Sequence, residues 1–205
     1  MSTDRKKAFT LIEVLVTLAI ILILAGTLIG AGKYLRVRAE RQLTASAIEV
    51  ISTALQQYYD QTGSFPPVIY SANELKTALS VTTVTVSPPG GQPTSPGESN
   101  LWWCSQSLFY FLDRVPQSKA VLSGLSNRML TNKGKTGVGL QIQIDGTTYD
   151  WVRFVDAWGT TMEYIYNSDE SAHKVSGYSF PVIRSAGPNK NFTDPPGSGD
   201  DLCNQ

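Results

Sequence analysis

The sequence predicts an α+β fold, with one long N-terminal α-helix packed on a small antiparallel β-sheet. Three observations carry that reading. Residues 9–32 form an apolar run interrupted only by threonines, glycines and one charge, Glu13. Beyond it, Leu43, Ala47, Ile48, Ile51, Leu55, Tyr58 and Tyr59 recur at helical steps and make one apolar stripe. From Val138 the period becomes two, with Leu140, Ile142 and Ile144 alternating with Gln141, Gln143 and Asp145. A chain of 205 residues is long enough for one domain with a core and an appended segment.

The N-terminus comes first. Residues 1–8, MSTDRKKA, are short and polar, with Arg5, Lys6 and Lys7 in a row. As a helix the run 9–32 spans roughly 36 Å, enough to cross a bilayer. A secretory signal peptide shares the basic start, but its apolar region is usually about 7–15 residues long and ends in a small-x-small site. Here Gly30-Ala31-Gly32 serves only weakly. A plain membrane anchor fits the length and leaves Glu13 unexplained. A carboxylate in an apolar helix costs about 2.5–3.5 kcal/mol on insertion scales, so Glu13 marks a functional position or a side chain reaching the headgroups.

The string KKAFTLIEVLVTLAIILIL resembles the class III leader and N-terminal helix of type IV pilins and type II secretion pseudopilins. The likeness combines a basic leader, a small residue, Phe9, Thr10-Leu11-Ile12, and Glu13 at the fifth position of the mature chain. It implies cleavage by prepilin peptidase between Ala8 and Phe9, then N-methylation of Phe9. Ala8 stands where the family usually has Gly. The resemblance also implies a role for Glu13. Its carboxylate would pair with the new amine of a neighbouring subunit, offsetting a charge that is costly to bury alone. Basic residues flank the run on both sides (Lys33, Arg36, Arg38 and Arg41 follow it), so the positive-inside rule fixes no orientation. A cytoplasmic N-terminus, a single inner-membrane pass and a periplasmic head are what the resemblance implies.

The helix is expected to continue to Thr62, where Gly63, Ser64 and Pro66-Pro67 stop it. Gly26, Gly30 and Gly32 soften its first half, and Gly26 and Gly30 form a GxxxG spacing that is also common by chance in apolar helices. The exit ALQQYYDQTGSFPP again resembles pseudopilins. Residues 75–79 read as a short helix, 88–100 as a Pro/Gly/Ser-rich surface loop, and 101–130 as helical pieces whose aromatics pack in a core. Asp145-Gly146 signals a hairpin with a return strand over 147–154, and further strands follow over 162–166 and 178–184. The organisation is thus a leader at 1–8, a transmembrane or filament-core helix at 9–32, and its amphipathic continuation at 33–62. A variable loop and helical region fills 63–136, and an antiparallel sheet with a C-terminal acidic loop fills 137–205.

Asp156-Ala157-Trp158-Gly159 resembles the Asp-Pro-Trp-Gly strand entry of major pseudopilins, with Ala157 in place of Pro. Residues 185–205 resemble their C-terminal calcium loop. Carried over position by position, Asn189, Ser198, Asp200 and Asp201 become candidate Ca²⁺ ligands, with Asn189 where Asp is usual. Hard oxygens suit calcium, and a solvated acidic turn is the alternative. Cys104 and Cys203 offer either a disulfide outside the cytoplasm or two separate thiols.

Composition narrows the remaining classes. Lysine and arginine total 17, as do aspartate and glutamate, so no basic surplus suggests nucleic acid. His173 is the single histidine and lies in a polar stretch, which argues against Cys/His zinc and against a His-activated nucleophile. No phosphate-binding loop, nucleophile elbow or dinucleotide fingerprint is present. The expectation is a structural, non-enzymatic subunit that polymerises with other pseudopilins on an inner-membrane secretion platform and drives type II secretion. A type IV pilus subunit, or an exported binding module or enzyme with a cleaved signal, are the alternatives.

Overall fold

A computed structural model describes residues 10–166, 180–192 and 201–204, side chains at 27–31 and 33 excepted. It divides into two compact units, Met1–Ala39 and Glu40–Gln205. Helix α1 runs Leu11–Thr62. It is continuous through Gly26, Gly30 and Gly32, so no break in the helix marks the softened segment.

From Leu11 to Leu24, apart from Glu13 and Thr17, α1 carries apolar side chains on every side. Leu11, Ile12, Leu22 and Ile23 are each more than 60% exposed, and Leu15, Leu18, Ile20, Ile21 and Leu24 are more than half exposed. A helix hydrophobic all round belongs inside lipid or among other helices. The described side chains of this run stop at Gly26, sixteen residues from Leu11. Among the described residues, therefore, no helix is long and apolar enough to cross a membrane.

In the second unit α1 turns amphipathic, as its stripe predicts. Ala47, Ile48, Ile51, Ala54 and Leu55 are buried, joined by Thr44. The helix ends where expected, with Gly63 at φ +75° donating its N–H to the Tyr59 carbonyl at 2.8 Å. The exit is then pinned. Phe65 stacks on Tyr59 with ring centroids 4.7 Å apart, and the buried Tyr164 hydroxyl donates to the Pro66 carbonyl at 2.7 Å.

Helix α2 spans Ala72–Leu79 and starts earlier than the sequence suggests. Ser71 caps it by accepting from the Glu74 N–H, while Glu74 accepts from the Tyr70 N–H. Helix α3, Pro96–Arg114, takes over the end of the expected loop 88–100. Pro96 sits at the first turn, where a missing N–H costs nothing. Trp102 to Leu108 and Tyr110 to Leu112 are all buried, because α3 lies between two hydrophobic clusters. Cys104, Leu108 and Leu112 join the α1 stripe, together with Phe154, Met162, Tyr164 and Ile183. Trp102, Trp103 and Phe111 join Leu75, Leu140, Ile142 and Trp151. Helix α4, Pro116–Leu122, and a 3₁₀ turn at Asn127–Met129 follow.

The described strands form three small antiparallel sheets rather than the one expected. Strand β1, Val84–Ser87, is unforeseen and brings the variable region into the sheet by pairing with Gln141–Ile144. Taking β2 as Leu130–Thr131, that second strand becomes β3; it pairs in turn with β4, Thr147–Asp150. Between β3 and β4, Asp145 and Gly146 both have positive φ, +43° and +85°, the turn that the Asp-Gly pair predicts. The expected return strand 147–154 is split. Trp151 turns fully into the core, and β5, Arg153–Phe154, leaves the ladder to pair with β2. Strand β6, Glu163–Ile165, pairs with β7, Val182–Ser185, which pairs with β8, Leu202–Cys203. Thus part of the expected acidic loop is strand.

Candidate functional site

The start of α1 is a reciprocal cap. Thr10 precedes the helix, and its Oγ1 accepts from the Glu13 N–H at 3.3 Å. Glu13 Oε2 accepts from the Thr10 N–H and from the Thr10 hydroxyl, each at 2.9 Å. The pattern Thr-x-x-Glu satisfies donors that a helix N-terminus otherwise leaves orphaned, and its negative charge complements the helix dipole. The spacing is visible in the sequence, where Glu13 stands out as the lone charge of an apolar run and Thr10 does not. Glu13 Oε1 makes no hydrogen bond among the described residues. The carboxylate is therefore fixed on one oxygen and open on the other. Ala8 and Phe9 lie outside the described residues.

The Asp156-Ala157-Trp158-Gly159 motif forms a buried polar knot. Asp156 is 1% exposed. Its Oδ1 accepts from the Trp158 N–H at 3.0 Å and the Thr160 N–H at 2.8 Å, and its Oδ2 accepts from the Ser185 hydroxyl at 2.8 Å. Ser185 in turn accepts from the Gly187 N–H at 3.1 Å. Burial pushes the Asp156 carboxyl up, against these three hydrogen bonds and the charge of Lys190. Gly159, at φ +81°, closes the turn by donating to the Asp156 carbonyl. Ala157 has an N–H where proline would have none, and donates it to Thr44 Oγ1 on α1 at 3.1 Å. The departure from the family pattern thus ties the turn to the long helix.

Of the four candidate calcium ligands, Asn189 and Asp201 are described; Ser198 and Asp200 lie outside the described residues, as does His173. Asn189 Oδ1 accepts from the Asn191 N–H at 2.7 Å, and Asp201 is 6% exposed beside β8. Among the described residues no three His, Cys, Asp or Glu side chains cluster as a metal site. Cys104 and Cys203 are both free thiols, so the disulfide option is not realised. Burial pushes the Cys104 thiol up to about 12, and it donates to the Leu101 carbonyl at 3.2 Å.

Comparison with known families bears on the N-terminus. Residues 3–29 match the prokaryotic N-terminal methylation motif. The chain carries the mark of a prepilin peptidase substrate. That motif is the hallmark of type IV pilin-like proteins and pseudopilins, and it supports a membrane-anchored, peptidase-processed subunit of the kind that assembles into pilin-like polymers. No curated protein and no solved structure matches the chain. The long helix with small antiparallel sheets is consistent with an α+β pilin-like fold.

Proposed function

We propose that this type IV pilin-like protein is a pseudopilin. On this reading it is cut between Ala8 and Phe9, methylated on Phe9, held in the inner membrane with its head in the periplasm, and polymerised to drive type II secretion. The observation that carries the reading is the methylation motif continuing into a helix with no polar side. Such a helix is stable in water only if lipid or sister helices cover it. Support for a pseudopilus rather than a pilus comes from the Asp-Ala-Trp-Gly turn, which Asp156 and Ser185 build into the strand pair β6–β7.

Glu13 acts in assembly. Its open oxygen pairs with the methylated amine of the next subunit, while Thr10 holds the other. The function is structural, with no catalytic residue. Calcium would be held by Asn189, Ser198, Asp200 and Asp201, all hard-oxygen donors, and would lock the C-terminal segment to the head.

The test is complementation of a secretion-defective strain lacking this gene. Wild type restores export and filaments. Glu13→Gln is processed but assembles poorly, because the amide carries no charge. Export unaffected by deletion of the gene, with surface pili lost instead, would move the protein to the pilus. Millimolar calcium should raise the Tm of the full chain in detergent; an unchanged Tm would remove the metal from the account.

A further inference from the structure

A groove on the head, of about 470 Å³, is lined by the start of α3, Trp102, Arg153, Thr161, Lys190 and Phe192. One lining residue is a buried cation. Arg153 is 7% exposed, and its guanidinium carbon lies 3.5 Å from the centre of the Trp102 ring. Nε donates to Thr161 Oγ1 at 3.1 Å, and Nη1 donates to the Lys133 carbonyl at 2.8 Å. Both acceptors are neutral. Among the described residues Arg153 forms no ion pair, and its Nη2 donates no hydrogen bond. Burial lowers its pKa to about 10, with the charge of Glu98 opposing. Glu98, on the groove wall, is already paired with Lys135. The exposed Lys190, also on the groove lining, forms no ion pair among the described residues.

A buried cation bonded only to neutral acceptors is costly, and the carboxylate nearest to it, Glu98, is shared with Lys135. We infer that this groove binds a carboxylate carried on an apolar or flat body. The second hydrogen of Nη1 and the two of Nη2 form a planar edge that matches both oxygens of a carboxylate. Lys190 supplies the second positive charge. Trp102 and Phe192 wall the groove with rings, and Phe192 is itself held beneath Arg184 at 4.8 Å, which pairs with Glu163. Such walls favour an apolar body and offer little to a strongly hydrated phosphate. The proposal does not depend on the pseudopilin reading, since it uses only side chains of the head.

The carboxylate can sit on a small molecule or on a peptide chain. Benzoate, an N-acetyl-Leu-Glu amide and inorganic phosphate are therefore titrated into the full chain in detergent micelles by calorimetry. Saturable binding of benzoate or the peptide is expected, and the tighter of the two identifies the source. Arg153→Lys, which keeps the charge but loses the planar edge, should weaken binding roughly tenfold or more. Lys190→Gln, an exposed change that leaves the packing intact, should weaken it about three- to tenfold. No saturable binding to wild type, binding indifferent to Lys190→Gln, or a preference for phosphate over both carboxylates would each overturn the inference.

Discussion

Asp156→Ala should destabilise the head strongly, because the Asp156 carboxylate accepts both inward N–H groups of the turn. The substitution strands the Trp158 and Thr160 amides, now bonded at 3.0 and 2.8 Å, and frees the Ser185 hydroxyl. A fully buried group left unpaired costs about 1–3 kcal/mol, and these amides are part-buried, which sets that as the upper range for each. Ser185 retains its bond from Gly187 and can turn its own proton, so the two amides dominate. Removing a carboxylate whose burial raises its pKa returns part of the loss. The net expectation is roughly 2–4 kcal/mol, or a fall in Tm of about 5–15 °C for a head of this size. Asp156→Asn keeps an acceptor for both amides and should lose about 1 kcal/mol. Linkage adds a sign. A carboxyl raised in the folded state opposes folding while ionised, and that penalty fades as pH falls through its folded pKa. The advantage of wild type over Asp156→Ala should therefore grow over that interval. Thermal melts of the full chain in detergent, followed by near-ultraviolet circular dichroism, provide the assay. A Tm for Asp156→Ala within 2 °C of wild type, an interval of about 1 kcal/mol at this size, would refute the reasoning.

Three further predictions follow from the head. Asp145 is held below its ordinary value chiefly by the Thr83 N–H and the Thr82 hydroxyl. Its contribution is complete above the unfolded aspartate range and disappears as pH falls through the folded pKa, so Asp145→Asn should melt lower than wild type at neutral pH and alike in strong acid. Gly134→Ala would put a Cβ 2.8 Å from the Gly91 carbonyl and should cost about 1–3 kcal/mol in a urea titration. In the native chain a maleimide should label the partly exposed Cys203 well before Cys104, whose thiol is buried and held near 12; equal rates would contradict the packing of α3.

The parts legible in the sequence are those whose periodicity faces a single environment. The stripe from Ala47 to Leu55 meets one cluster on one side, and its end at Gly63 follows from glycine's tolerance of positive φ. The Asp145-Gly146 turn is legible for the same local reason. Helix α3 was blurred because it is buried on both sides, so polar residues such as Ser105, Gln106 and Ser107 fall inside and erase the stripe. Ser105 shows why: it donates to the Phe154 carbonyl and accepts its N–H, a pairing 49 residues away that no local pattern announces. Strand β1 was missed because its partner lies some sixty residues along the chain. The Thr10–Glu13 cap is written in the Thr-x-x-Glu spacing, but the apolar run around it makes Glu13 stand out as an isolated charge rather than as a capping residue.

The reading rests on cleavage at one bond and on an N-terminal helix segment, Leu11–Leu24, whose exposed surface is apolar apart from Glu13 and Thr17. Intact mass and N-terminal fragmentation of the protein taken from its native membrane test it in one step. The account predicts a chain beginning at Phe9, heavier by one methyl group on the amine. A chain that still carries residues 1–8, or one that begins near Lys33 without the apolar run, would contradict it.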